Sequence, residues 1–119
     1  VGLLAYSPLG FGVLSGKYRN GNMPENSRLK LFSNLARFSN DKCFKATDLY
    51  HEIAMKYDIS LTQMSLAFVN DRPFVTSNII GATSMDQLKE NINSINLKLS
   101  KEIIAEINSV NEKIPNPAP

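Results

Sequence analysis

The sequence predicts a parallel α/β architecture, on three observations. Two short apolar runs, at residues 1–6 and 75–82, read as strands. Two stretches of helical apolar spacing lie between them, and a glycine-bearing loop follows each run. A connection that long returns the chain to the same end of the sheet, so the two strands run parallel, as in the alternating order of α/β folds.

The elements follow in order. Val1-Gly2-Leu3-Leu4-Ala5-Tyr6 is continuously apolar up to its tyrosine, the pattern of a strand buried on both faces. YSPLGFGVLSGKY, residues 6–18, is the loop after it, and residues 19–40 form a long polar connection holding Asn20-Gly21, Pro24 and Asn26. Connections of that length are usually functional or mobile. From Asp41, the residues Ala46, Leu49, Tyr50, Ile53, Ala54 and Tyr57 recur at helical spacing and stop before Asp58, which predicts a helix with one buried face. Ser60 with Gln63 has capping-box spacing, and Met64, Ala67 and Phe68 carry a second short helix to Arg72-Pro73, where the proline ends it. VTSNIIGA, residues 75–82, is the second strand. Ser84 then caps a helix with Leu88, Ile92 and Ile95 on one face, and Ser100 caps a last helix with Ile103, Ile104, Ile107 and Val110 at core spacing. The prolines of residues 114–119 cannot continue that helix, so an exposed tail is expected.

Composition narrows the class. With 119 residues, 43% hydrophobic and 20% charged, the chain has room for one globular core and is too apolar for disorder. The formal charge of +2 is spread without a block of like charges, which points away from nucleic acid and from an anionic membrane surface. A single cysteine, Cys43, leaves no intrachain disulfide, and a cytoplasmic setting is the default expectation. No apolar run approaches the ~18 residues of a membrane span, and the first residues lack the basic region and cleavage pattern of a signal peptide. Two strands alone make no stable parallel sheet, so the chain reads as beginning within a larger fold.

Both loops invite an anion. In residues 6–18, Gly10 and Gly12 let backbone approach a ligand and Lys17 supplies a cation nearby. The plain alternative is a glycine-rich turn with a solvated lysine, because neither a Walker nor a dinucleotide fingerprint is present. In GATSMDQLKEN, Gly81 ends a strand and Thr83-Ser84 open a helix, where hydroxyls and free N–H groups favour negative charge. There too the alternative stands, since Ser84 and Gln87 have the spacing to cap their own backbone.

Together, YSPLGFGVLSGKY and GATSMDQLKENI resemble the C-terminal part of an aldo-keto reductase. Ser7-Pro8-Leu9, Gly16-Lys17-Tyr18 and Gln87 with Glu90-Asn91 are similar to the subgroup of the Tas-like bacterial reductases and the potassium-channel β subunits. The resemblance covers essentially all 119 residues. It implies a (β/α)8 barrel of which residues 1–119 supply strands seven and eight with their helices, incomplete at the N-terminus, the last helix lying outside the barrel. It also implies NADPH as cofactor, an aldehyde or ketone as the small-molecule substrate of the whole protein, and hydride transfer between them. Tyr6 would then stack near the nicotinamide. Ser7, Pro8, Leu9, Gly10 and Lys17 would surround the pyrophosphate, with Arg28 folding over it from the long connection as part of a cofactor belt. Gly81, Thr83 and Gln87 would hold the 2'-phosphate side, and Glu90 with Asn91 the adenine edge. Glu90 and Asn91 follow Gln87 by three and four residues, a spacing by which one helix face would present all three toward the same ligand. Gln87 brings hydrogen bonds but no charge where many family members carry Arg or Lys.

The residues themselves offer alternatives: an ordinary loop charge for Arg28, a buried strand end for Tyr6 and a surface ion pair for Glu90. The family's catalytic Tyr, Lys, Asp and His are carried on earlier strands, and none is recognisable here. His51 falls within a helix, Tyr18, Tyr50 and Tyr57 on a loop and a helix face, and Cys43 near a helix start as a small packed residue. No metal-ligand spacing occurs. The reading that results is the NADPH-binding C-terminal part of an aldo-keto reductase. Its rival is an inactive stand-alone fragment or interaction module that associates with itself or a partner through open strand edges.

Overall fold

The computed structural model describes residues 1–32 and 37–119; part of the long polar connection, residues 33–36, lies outside the described residues. Strand β1 spans Leu3–Tyr6, followed by short helical turns at Val13–Ser15 and Arg19–Gly21 and by the four-residue helix α1, Arg28–Leu31. Then come α2 (Asp41–Lys56), α3 (Leu61–Asn70), strand β2 (Val75–Ile79), α4 (Met85–Asn93), a turn at Ser94–Asn96, and α5 (Lys101–Lys113). β1 and β2 pair in parallel, with Leu4 opposite Ser77, Ala5 opposite Asn78 and Tyr6 opposite Ile79, after an irregularity between Leu3 and Leu4. The expected order of strand, two helices, strand and helix is therefore present.

Local chemistry explains the helix ends. The side chains of Asn40, Ser60, Ser84 and Ser100 accept the third-residue N–H of α2, α3, α4 and α5, from Cys43, Gln63, Gln87 and Ile103, which satisfies donors the first turn leaves orphaned. α2 stops at a left-handed Asp58, φ 53°. There Asp58 N–H donates to Met55 O and Ile59 N–H to Ala54 O, the paired bonds of a Schellman close.

The main core lies among helices. Ile53 and Ala54 of α2, Leu61, Met64 and Ala67 of α3, and Ile103, Ile107 and Val110 of α5 form one buried cluster with Leu99. Leu49, Tyr50, Tyr57, Phe68 and Ile104 pack around it, so the three predicted helical faces are the core. The sheet differs from expectation. Leu3, Leu4 and Tyr6 are 49%, 58% and 75% exposed, against the predicted double-sided burial of β1. Among the described residues the apolar side chains gather between helices, and no layer covers the open face of the sheet. Ile92 and Ile95 are likewise exposed, so the apolar face of α4 is not core. The second strand ends at Ile79, three residues short of the 75–82 expected.

The tail also departs from full exposure. Asn116 takes φ 44°, and the chain turns back so that Pro117 and Ala118 are half-buried against the start of α2. No helix among the described residues is long and apolar enough to cross a membrane.

Candidate functional site

The parallel register puts Tyr6 beside Ile79, so the chain leaves both strands at the same end of the sheet and the two following loops emerge next to each other. The first is held in a series of left-handed residues: Ser7, Gly10, Phe11, Gly12 and Gly16 all have positive φ. Tight turns close it, with Gly10 N–H donating to Ser7 O at 2.9 Å, Gly12 N–H to Leu9 O at 3.0 Å and Leu14 N–H to Leu9 O at 3.1 Å. The N–H groups of Leu9 and Phe11 take no part in these turns. They alternate with the committed N–H groups of Gly10 and Gly12.

Two cations attend it. The Lys17 side chain lies across Gly12, where a Cβ would stand 2.8 Å from Lys17 Nζ, and its ammonium is 5.2 Å from the centre of the Tyr18 ring. The Arg28 guanidinium is 5.5 Å from the centre of the Phe11 ring, and its Nη2 would be 3.7 Å from a Cβ on Gly81. Arg28 thus joins the first loop to the second, across 53 positions of sequence that no local spacing could connect. Among the described residues neither Lys17 nor Arg28 makes an ion pair. Cations without a carboxylate partner suit an anion such as phosphate.

Aromatic residues hold this arrangement. Buried Tyr18 accepts a hydrogen bond from Leu29 N–H at 3.3 Å, fixing the residue after Arg28. Phe38 meets Phe11 edge to face at 5.0 Å and packs on the cluster of Val13, Tyr18 and Leu29. Sequence reasoning passed over Phe11 and Phe38; a phenylalanine between two glycines was a signal for the first, and the second had none.

The second loop has its own internal bonds. Gln87 Oε1 accepts from Thr83 N–H at 2.9 Å and from Thr83 Oγ at 3.0 Å, while Ser84 Oγ accepts from Gln87 N–H at 3.2 Å. The capping reading of Ser84 and Gln87 therefore holds. Buried Asn91 donates through Nδ2 to Gly81 O at 3.1 Å, tying the loop to α4. The Glu90 carboxylate receives the Ser60 hydroxyl, and its backbone carbonyl accepts from Gln63 Nε2 at 3.2 Å.

The structure thus places Arg28 between Phe11 and Gly81 and Lys17 across Gly12, with Gly10 buried under Phe38, Ser7, Pro8 and Leu9 half-buried, and Tyr6 exposed at the strand end rather than buried. Gln87, Glu90 and Asn91 each have a separate protein partner: Thr83, Ser60 and Gly81. The Glu90 partner is a hydroxyl, not the lysine of a surface ion pair. His51 is half-buried on α2 and Cys43 is buried near its start.

Two parallel strands joined through helices and ending in adjacent glycine-bearing loops make this an α/β protein. A profile of the Aldo/keto reductase family matches residues 1–112, and the chain belongs to that family. It is 50% identical over 119 residues to Protein tas of Escherichia coli K12, covering 100% of this chain and 34% of that protein. It is 36% identical to a probable voltage-gated potassium channel subunit beta of rice, over 97% of this chain and 37% of the relative. Identity is also 36% to L-glyceraldehyde 3-phosphate reductase of Escherichia coli O157:H7, over 90% and 32%. The chain spans about a third of the length of the curated relatives it matches.

Proposed function

We propose that these residues are strands seven and eight of an aldo-keto reductase barrel, and that they hold NADPH by its phosphates for a protein that reduces aldehydes or ketones. The observation that carries this reading is Arg28, which lies over Phe11 and Gly81 at once, at the carboxyl ends of two adjacent parallel strands. That end is where barrels of this kind assemble their sites. Leu9 and Phe11 N–H, Lys17 and Arg28 would take the pyrophosphate, and Tyr6, exposed at the end of β1, would offer a ring face to the nicotinamide. Gly81 and Thr83 would line the 2'-phosphate side. Gln87 would contribute its amide Nε2, since its Oε1 is committed to Thr83. Glu90 and Asn91 would support the adenine side from behind, one bracing α4 on α3 and the other fixing Gly81.

The bound dinucleotide supplies the hydride. These residues bind and orient it, and supply no proton to the substrate. The acid that completes carbonyl reduction belongs to the remainder of the barrel. A buried free thiol at Cys43 suits the reducing cytoplasm.

Arg28→Ala in the complete native polypeptide should raise the Kd for NADPH about tenfold, the loss expected of one charge-assisted phosphate contact. Fluorescence titration reads this directly, and an unchanged Kd rejects the placement. A second reading, a module that associates with copies of itself, is favoured by the exposed Leu3, Leu4 and Tyr6 of β1.

A further inference from the structure

The C-terminal tail is fastened to the far end of the long connection by side chains that reach its carbonyls. Arg37 Nε donates to Ala118 O at 3.0 Å and Asn40 Nδ2 to Pro117 O at 3.0 Å. The Cys43 thiol lies 3.3 Å from Pro117 O. Asn40 Nδ2 also donates to Arg37 O at 3.0 Å, and the Arg37 guanidinium lies 5.3 Å from the centre of the Phe38 ring. Phe38 in turn faces the glycine-rich loop: its ring would be 3.3 Å from a Cβ on Gly10, and it meets Phe11 edge to face. Phe11 carries Arg28 on its own ring. A continuous line of packed groups therefore runs from residues 117–118 to the phosphate-binding loop.

We propose that Phe38 is a positioning residue for the glycine-rich loop and that the C-terminal tail fixes it there, so that the tail sets how long a dinucleotide stays bound. The proposal rests on the NADPH reading for its ligand. Fixing Phe38 removes positions into which Gly10 and Phe11 could relax, and Phe11 is the platform under Arg28. Loss of the tail frees the loop to open after binding, which acts on dissociation more than on encounter.

The test uses the complete native polypeptide, a form lacking residues 115–119, Asn40→Asp, Phe38→Ala, and the tail deletion combined with Phe38→Ala. Asn40→Asp keeps the oxygen that caps α2 and removes the Nδ2 donor, so it weakens the tail contact without uncapping the helix. NADPH dissociation, followed by stopped-flow fluorescence, should quicken about five- to tenfold on tail deletion, with association within about twofold of the parent. Asn40→Asp should move in the same direction. In the Phe38→Ala background, tail deletion should add less than about twofold, because both changes act through the same ring. Unchanged dissociation on tail deletion, or full additivity with Phe38→Ala, overturns the proposal.

Hydrogen exchange in the absence of ligand separates this from the functional reading. Tail deletion should hasten exchange at the amides of residues 9–13, and unchanged exchange overturns the positioning role whatever the ligand. Failure of the parent to bind NADPH would overturn the functional reading alone and leave the exchange result to decide.

Discussion

Gly10 answers two demands at once: a φ of +52°, which side-chain-bearing residues reach at a cost, and a Phe38 ring 3.3 Å from where its Cβ would stand. Gly10→Ala should lower stability by about 1–2 kcal/mol from the backbone alone, read in chemical denaturation. Cys43 gives a pH signature. Burial pushes its thiol above the ordinary value, against hydrogen bonds with Asn40 that pull it down. The folded form keeps its proton to higher pH than the unfolded one. Its contribution is therefore complete below the unfolded thiol pKa of about 8.5 and declines as pH rises through that value. The parent should lose more stability than Cys43→Ala between neutral and alkaline pH, and parallel curves would contradict this. Arg28 marks the limit of legibility at this scale. By its own surroundings in sequence it was an ordinary loop charge; only the family resemblance singled it out, because its approach to Gly81 is made entirely in space.

Helices were the most legible elements, since their signals are local. Ser60, Ser84 and Ser100 each sit one residue before a helix and cap it as their spacing implied. Ser60 carries a second duty, donating its hydroxyl to Glu90 of α4 while accepting from Gln63. Ser100→Ala should cost about 1 kcal/mol, as the loss of a cap does, and Ser60→Ala should cost more because it also strips Glu90 of its partner. Equal losses in paired urea melts would show that the link between α3 and α4 carries no weight. The Ser60 partner of Glu90 was not legible in periodicity. Spacing on one turn fixes which residues are neighbours, but not which element packs opposite, and α3 lies opposite Glu90.

At the scale of the molecule the sheet is the legible and the misleading part together. Parallel pairing followed from the long helical connection, yet burial of β1 did not, because burial depends on what covers the sheet, and the described residues place their core among α2, α3 and α5. An exposed apolar parallel ribbon invites pairing. The 119-residue chain alone should sediment above 13.2 kDa, with Leu4→Lys shifting it toward monomer. A monomer in both cases would mean that the exposed ribbon drives no association. The most direct measurement of the central claim, a phosphate-binding junction spanned by Arg28, is calorimetric titration of NADPH into the complete native polypeptide and its Arg28→Ala and Lys17→Ala forms. Both substitutions should weaken binding about tenfold while leaving the melting temperature close to the parent. Binding that is unchanged in both forms would contradict the claim and move the dinucleotide away from these loops.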